Sequence, residues 1–352
     1  MIGPPRSSFS STRRRERLPW PAGQPFRILS IDGGGIKGIF PAAVLAHLEE
    51  RFLGGRSIAT CFDLVTGTST GGILALGLAA GRTSKELLDM YVRDGEKIFP
   101  PGGLGRLWRT VRGLALYRYD RAALTKVLEQ VLGTRILAES NSRLCIAAFE
   151  GHHGEVYILK TPHHPAYRID GHVPMVTAGQ ATSAAPCYFR ALDSGDYRFV
   201  DGGIWANNPA MIALVDALAC FAVDTTQVRM LTLGCGREPV RVGRLKAIGG
   251  MLTWTNAIFA AMDLQSQNAL GQARLLIGPE SVYRVEPQLT QPIALDDWQR
   301  AHVELPFEAE RAVRASAGAI AEQFLIDPAE RPRFFWPPAT THSMSPTDGT
   351  EK

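Results

Sequence analysis

Several features are scarce in this 352-residue chain, and each scarcity excludes something. No run of 18 or more uninterrupted apolar residues occurs, which rules out a spanning helix by length. The first residues hold no apolar h-region, so no secretory signal is expected. Cysteine is sparse and scattered, at positions 61, 145, 187, 220 and 235, with no C-x-x-C pair. An odd, unclustered set argues against a disulfide framework or a zinc site and for free thiols in a reducing, cytoplasmic compartment. Basic excess is missing from the body of the chain. The net charge of +4 is accounted for by Arg6, Arg13, Arg14, Arg15 and Arg17 against Glu16, which leaves 33 basic and 33 acidic residues elsewhere. A neutral body argues against a nucleic-acid polymer as partner. No calcium loop of the D-x-D-x-D-G type is present and no internal repeat is visible, and neither metal nor cofactor is expected.

What is present is the composition of a soluble globular protein, 45% hydrophobic and 20% charged. Strand and helix patterns alternate. Phe26 to Ile31 reads as a buried strand and Pro41 to Phe52 as a helix. "CFDLVTG" (61–67) is a second strand, followed by a small-residue helix from Gly72 to Ala80 and a helix capped by Ser84 that runs through Tyr91. Further strands are expected at "RLCIAAFE", "EVYILKT", "YRFVDGG" and "VRMLTLGCG", with helices at 119–132, at "MVTAGQATSAA" and at 209–221. This alternation predicts an α/β fold with helices on a mostly parallel sheet. Residues 1–24 read as a disordered basic tail, 25–236 as the core, 237–336 as a helical part of the same domain, and 337–352 as a loose tail.

Two glycine-rich turns carry chemistry. "GTSTGG" (67–72) is a G-x-S-x-G pattern centred on Ser69. Gly67 and Gly71 would let a strand turn sharply into a helix, lifting Ser69 above the sheet and aiming the Thr70 amide at a developing oxyanion. "ILSIDGGGIKGIF" (28–40) spells G-x-G-x-x-G at Gly33, Gly35 and Gly38, as a dinucleotide-binding turn would. That reading needs an acidic residue at the end of the second strand. Asp63 instead starts that strand, and the strand ends in the serine elbow. Bare amides at Gly33, Gly34 and Gly35 therefore suit a tetrahedral oxyanion better than a pyrophosphate. Lys37 would orient the loop or add charge. A base is supplied by "FVDGG" (199–203), which sets Asp201 at a strand end ahead of Gly202 and Gly203, with a helix starting near Pro209 behind an Asn207 or Asn208 cap.

The blocks "DGGGIKG", "GTSTGG", "ATSAAPCYF" (181–189) and "DGGIWANNP" occur in the order and spacing of the patatin-like phospholipases, which the chain resembles over about residues 26–236. The resemblance implies a three-layer α/β/α fold and a Ser–Asp dyad without histidine. Ser69 would be the nucleophile, Asp201 its base, and Gly33 to Gly35 the oxyanion loop. Many members carry arginine where Lys37 stands. The wording of the first block and of "ATSAAPCYF" also resembles a bacterial branch, the CapV-type effectors of cyclic-oligonucleotide-based anti-phage systems. That likeness implies a cyclic dinucleotide activator and a phospholipid membrane surface as substrate, met peripherally on the inner face. A constitutive lipase or esterase, or a catalytically idle nucleotide-binding protein on the same fold, are the alternatives.

The histidines agree with a dyad. His302 and His342 alone follow Asp201, and neither has a strand-end setting. His152, His153, His163 and His164 read as surface loop residues without metal-ligand companions. "LGRLWRTVRGLALYR" (104–118) places Leu104, Leu107, Trp108, Val111 and Ala115 on one helical face and Arg106, Arg109 and Arg112 on the other, as an interfacial helix, a lid or a packed surface helix would. Residues 244–277 read as helical, packed on the core or forming a homodimer face or an activator site.

Overall fold

FRILSI is buried along its whole length as strand β1 (Phe26–Ile31). A strand hidden on both faces belongs inside a parallel sheet covered by helices. The computed structural model, which describes residues 15–100, 116–237, 257–326 and 328–336, has this arrangement. Among the described residues one sheet holds eight strands: β1, β2 (Leu64–Thr68), β3 (Leu144–Glu150), β4 (Glu155–Lys160), β5 (Leu192–Ser194), β6 (Tyr197–Asp201), β7 (Val228–Leu233) and β8 (Val282–Val285). Their order is β5-β6-β3-β2-β1-β7-β8, with β4 also paired to β3. The run β3-β2-β1-β7-β8 is parallel throughout, whereas β3–β4, β3–β6 and β5–β6 are antiparallel.

The helices are α1 (Ile39–Phe52), α2 (Thr70–Ala79), α3 (Ser84–Ile98), α4 (Ala122–Leu132), α5 (Met175–Thr182), α6 (Gly203–Ala206), α7 (Ala210–Cys220), α8 (Ala257–Ile277) and α9 (Trp298–Phe324). Side chains alternate across a strand, so neighbours feed opposite cores. Leu29, Ile31 and Val65 join α1, α2, α3 and α9 in one apolar cluster. Phe26, Ile28 and Leu64 join α7 and α8 in the other. The result is the expected three-layer α/β/α fold.

Local differences from the sequence reading have local causes. The cap of α3 is Thr83, not Ser84: its hydroxyl accepts the Glu86 amide while the Glu86 carboxylate accepts the Thr83 amide at 2.8 Å, a reciprocal capping box. Ser84 is drawn inward instead, and its amide and hydroxyl both donate to Glu49 at 2.7 Å. The same helix continues past Tyr91 to Ile98, because Leu87, Tyr91, Asp94 and Ile98 keep one face buried. Residues 15–24 are not a disordered tail. Trp20 is buried against Phe26 and Phe221, and Leu18 bridges to Phe221. Residues 1–14 and 337–352 lie outside the described residues, as do 101–115 of the amphipathic segment and the first part of the 244–277 stretch, of which Ala257–Ile277 is helical.

Strand pairing positions the site. β2 covers residues 144–147 of β3 in parallel, and β6 covers residues 148–150 antiparallel. β4 takes the other edge of β3 over 145–150. β2 and β6 therefore meet end to end along one edge, with Thr68 opposite Ala147 and Asp201 opposite Ala148. The residue that follows β2 is Ser69.

Candidate active site

Ser69 stands between β2 and α2 with φ 54° and ψ −123°. A non-glycine residue there is strained by roughly 1–3 kcal/mol and persists only where its surroundings hold it. Thr182 does the holding. Its hydroxyl accepts the Ser69 amide at 2.9 Å and donates to the Ala147 carbonyl at 2.6 Å. The elbow glycines are sterically required: a Cβ at Gly67 would strike the Gly71 and Gly72 backbone, and one at Gly71 would strike the Ile31 and Asp32 carbonyls. A Cβ at Gly38 would overlap the Thr70 side chain. Tyr91, buried in α3, bonds to the Thr70 hydroxyl and donates to the Thr70 carbonyl at 3.2 Å, which fixes the first turn of α2.

Asp201 ends β6 facing Ser69. It accepts the Gly203 amide at 2.7 Å and the Ser69 side chain as a second donor. Burial raises its pKa to about 6, against the lowering effect of those two bonds. Gly202 has no room for a side chain, because a Cβ would meet the Ala147 backbone at 2.5 Å. A Cβ at Gly203 would lie 3.0 Å from the carboxylate itself.

The glycine loop after β1 lies alongside, since β1 pairs β2 with Ile31 opposite Gly67. A Cβ at Gly33 would come within 3.4 Å of the Ser69 Cβ. The three glycine amides are not equivalent, and one expectation is corrected. The Gly33 amide already donates to the Asn207 carbonyl at 2.9 Å, so it has no proton left for an oxyanion. No described protein group accepts the Gly34, Gly35 or Thr70 amide. Gly35 has φ +58°, a conformation that favours glycine. Lys37 is buried, and its ammonium donates to the Gly236 carbonyl at 3.4 Å, an orienting contact across the loop.

Sequence reasoning missed the anchor of this loop. Asp32 is buried and paired with Arg284 at 2.7 Å; Arg284 also meets Glu286 and donates to the Thr232 hydroxyl at 2.8 Å. Burial pushes the Asp32 carboxyl up to about 6 despite the guanidinium. Asp32 stood in the quoted glycine block, but Arg284 is 252 positions away and carried no local signal. Thr182 and Tyr91 were likewise missed, although Thr182 lies inside "ATSAAPCYF".

Ser69, Asp201, Gly34, Gly35 and Thr70 all border one cavity of about 420 Å³. Its remaining wall is chiefly apolar, including Ile73, Ile98, Phe99, Leu124 and Phe189. A strained serine beside a buried carboxylate, free amides on two sides and an apolar chamber form a site for a carbonyl compound with a long apolar group. Residues 29–214, more than half of the chain, match the patatin-like phospholipases. The chain belongs to that family.

Among curated members, a cGAMP-activated phospholipase of Vibrio cholerae is 36% identical over 228 residues, covering 59% of this chain and 63% of the relative. A protein of the same name from Escherichia coli is 36% identical over 224 residues, with 59% and 61% covered. Patatin-like protein 2 of Arabidopsis thaliana is 34% identical over 214 residues, with 53% and 51% covered. The match thus spans half to two thirds of these relatives' length.

The other titratable residues can be placed against the family's dyad. His302 lies on α9, stacks on Trp298 at 4.0 Å, bonds to the Trp298 carbonyl at 2.8 Å, and does not line the cavity. His163 and His164 are buried, which corrects their reading as surface residues. His163 sits between Thr161 and Asp216, at 2.7 Å from each. Asp216 also binds Lys160 and Tyr167, both at 2.5 Å. Cys145, His163 and Asp216 could offer three metal ligands, but the Lys160 ammonium occupies the carboxylate and both ring nitrogens of His163 have protein partners, so the cluster is a satisfied ionic knot. Asp63 immediately precedes β2, accepting the Arg27 amide at 2.8 Å, and so lies at the end of the strand away from the glycine loop. None of the helices among the described residues is long and apolar enough to cross a membrane.

Proposed function

We propose that this chain hydrolyses acyl esters of phospholipids through Ser69 and Asp201, and that a cyclic dinucleotide activates it. The observation that carries the first part is the end-to-end meeting of β2 and β6 on one edge of β3, which sets the strained Ser69 against the buried Asp201. Asp201 takes the Ser69 proton as the hydroxyl oxygen attacks the ester carbonyl. The oxyanion forms beside the Gly34, Gly35 and Thr70 amides, at the positive end of α2. Asp201 returns the proton to the departing lysophospholipid alkoxide, leaving an acyl-serine. Water, deprotonated by Asp201, then releases the fatty acid and restores Ser69. Asp201 is suited to both roles because burial holds its pKa near neutrality, at about 6.

Activation is supported by the relatives named cGAMP-activated phospholipases. A hundredfold activation requires about 2.7 kcal/mol of preference for the active state. The test is fatty-acid release from mixed phospholipid vesicles, with and without a panel of cyclic dinucleotides. Release that rises with one of them and vanishes in Ser69→Ala supports the whole reading. High release unaffected by any nucleotide leaves the hydrolase and removes the switch.

A further inference from the structure

Among the described residues bordering the cavity, Arg118 alone is cationic. Its position is built in. The Arg118 amide donates to the Cys187 carbonyl at 3.0 Å and the Tyr119 amide to the Tyr188 carbonyl at 2.8 Å, zipping this segment to the "ATSAAPCYF" block. The guanidinium lies 5.0 Å from the Tyr188 ring centre and pairs through Nη1 with Asp296 at 3.3 Å. That carboxylate is shared, since the Tyr119 hydroxyl donates to it at 2.8 Å. The Nε of Arg118 is buried and has no acceptor among the described residues. That nitrogen is shut off from solvent, so the donors a phosphate can reach are those of the terminal Nη groups of the planar fork. The side chain is 30% exposed, so it sits at the open rim and not in the apolar depth. The neighbouring Leu295 borders the same cavity, and its carbonyl accepts the Ile36 amide at 2.9 Å, which ties this rim to the glycine loop.

We infer that Arg118 receives the phosphodiester of the lipid head group while the acyl chain fills the apolar cavity and the ester lies at Ser69. This rests on the phospholipase reading and adds to it the residue that sets the preference for glycerolipids carrying a phosphate over neutral ones. A phospholipid places its ester and its phosphate a few bonds apart on one glycerol, so a cation on the rim of a chamber that opens onto the nucleophile is in register with both.

The test uses full-length Ser69→Ala protein, which binds without turnover, and two monomeric ligands with identical acyl chains: dihexanoylphosphatidylcholine and dihexanoylglycerol. Arg118→Gln in that background should weaken binding of the phosphatidylcholine by about tenfold and leave dihexanoylglycerol within about twofold, with Arg118→Lys intermediate. In the active enzyme the same change should raise KM for the phosphatidylcholine more than it lowers kcat, with neutral-ester turnover retained. Equal losses on both ligands would mean a structural role, and no loss on either would mean no phosphate contact; each overturns the inference and leaves the hydrolase reading standing. Lost binding of cyclic dinucleotide with lipid binding intact would also overturn it, assigning the guanidinium to the activator. A wild-type enzyme that cleaves neither ester with or without cyclic dinucleotide removes the hydrolase reading, whereas the binding result still decides the phosphate contact.

Discussion

Asp201→Asn should make the protein more stable while stopping its chemistry. The Asp201 carboxyl titrates at about 6 in the fold against 3.8 in a free chain, with burial as the main cause. At 1.36 kcal/mol per pKa unit, that difference costs the folded state about 3 kcal/mol once the group is ionised. The sign follows from linkage. Below pH 4 the carboxyl is protonated folded or unfolded, and no penalty exists. Between pH 4 and 6 the unfolded chain ionises first and the fold loses stability. Above pH 7 the full penalty applies. An asparagine at this position keeps an acceptor for the Gly203 amide and carries no charge. Guanidinium denaturation should therefore show Asp201→Asn more stable than wild type by about 1–3 kcal/mol at pH 8, and no more stable at pH 3. The same carboxyl should govern rate: kcat/KM on a soluble ester should fall about tenfold per unit as pH drops below 6, because a protonated base cannot take the Ser69 proton. A destabilised Asp201→Asn at pH 8, or a rate flat down to pH 4, would refute the assignment of Asp201 as a buried base.

The remaining predictions concern the groups around the dyad. Gly34→Ala should lower kcat about a hundredfold or more, since its Cβ would press on Cys235 and move a free amide away from the ester oxygen; steady-state kinetics with KM near wild type checks this. Thr182→Val should cost about 1–3 kcal/mol in denaturant melts and reduce turnover, because the Ser69 amide and the Ala147 carbonyl both lose a partner. Asp216→Ala should cost about 3–5 kcal/mol, leaving the Lys160 charge buried and unpaired. Burial works to raise the Asp216 pKa, but Lys160 and His163 overcome it and hold the group well below the usual carboxylate range, so its contribution is complete above pH 4 and declines only gradually below that; the gap between wild-type and variant melts should be largely retained at pH 3, and a gap that has closed by pH 3 would contradict the strongly lowered pKa.

The legibility of this protein in its sequence followed the range of the interactions involved. β1, β2 and the elbow were readable because periodicity and glycine placement are local signals, and a Cβ at Gly67 or Gly71 has nowhere to go. Ser69 and Asp201 stood out for the same reason, each at a strand end in a glycine-rich turn. That Gly33 differs from its neighbours was hidden, because its amide is consumed by Asn207, 174 positions along the chain. His163 looked like a loop histidine since Asp216, its partner, is on a separate helix. The Asp32–Arg284 pair needed the β7–β8 pairing to exist before it could be seen. Trp20 was placed in a tail because the arginine-rich residues before it dominate local composition, whereas its burial depends on Phe26 and Phe221.

The central claim is that Ser69 is the nucleophile and Asp201 its base, with no histidine between them. A fluorophosphonate probe that phosphonylates activated serines, followed by peptide mass spectrometry, reads this directly. Wild-type protein and His302→Ala should both carry the adduct on the peptide containing Ser69, at similar rates, and Asp201→Asn should be labelled at least a hundredfold more slowly. Labelling at another serine, or labelling of Ser69 that survives Asp201→Asn and is lost in His302→Ala, would contradict the account.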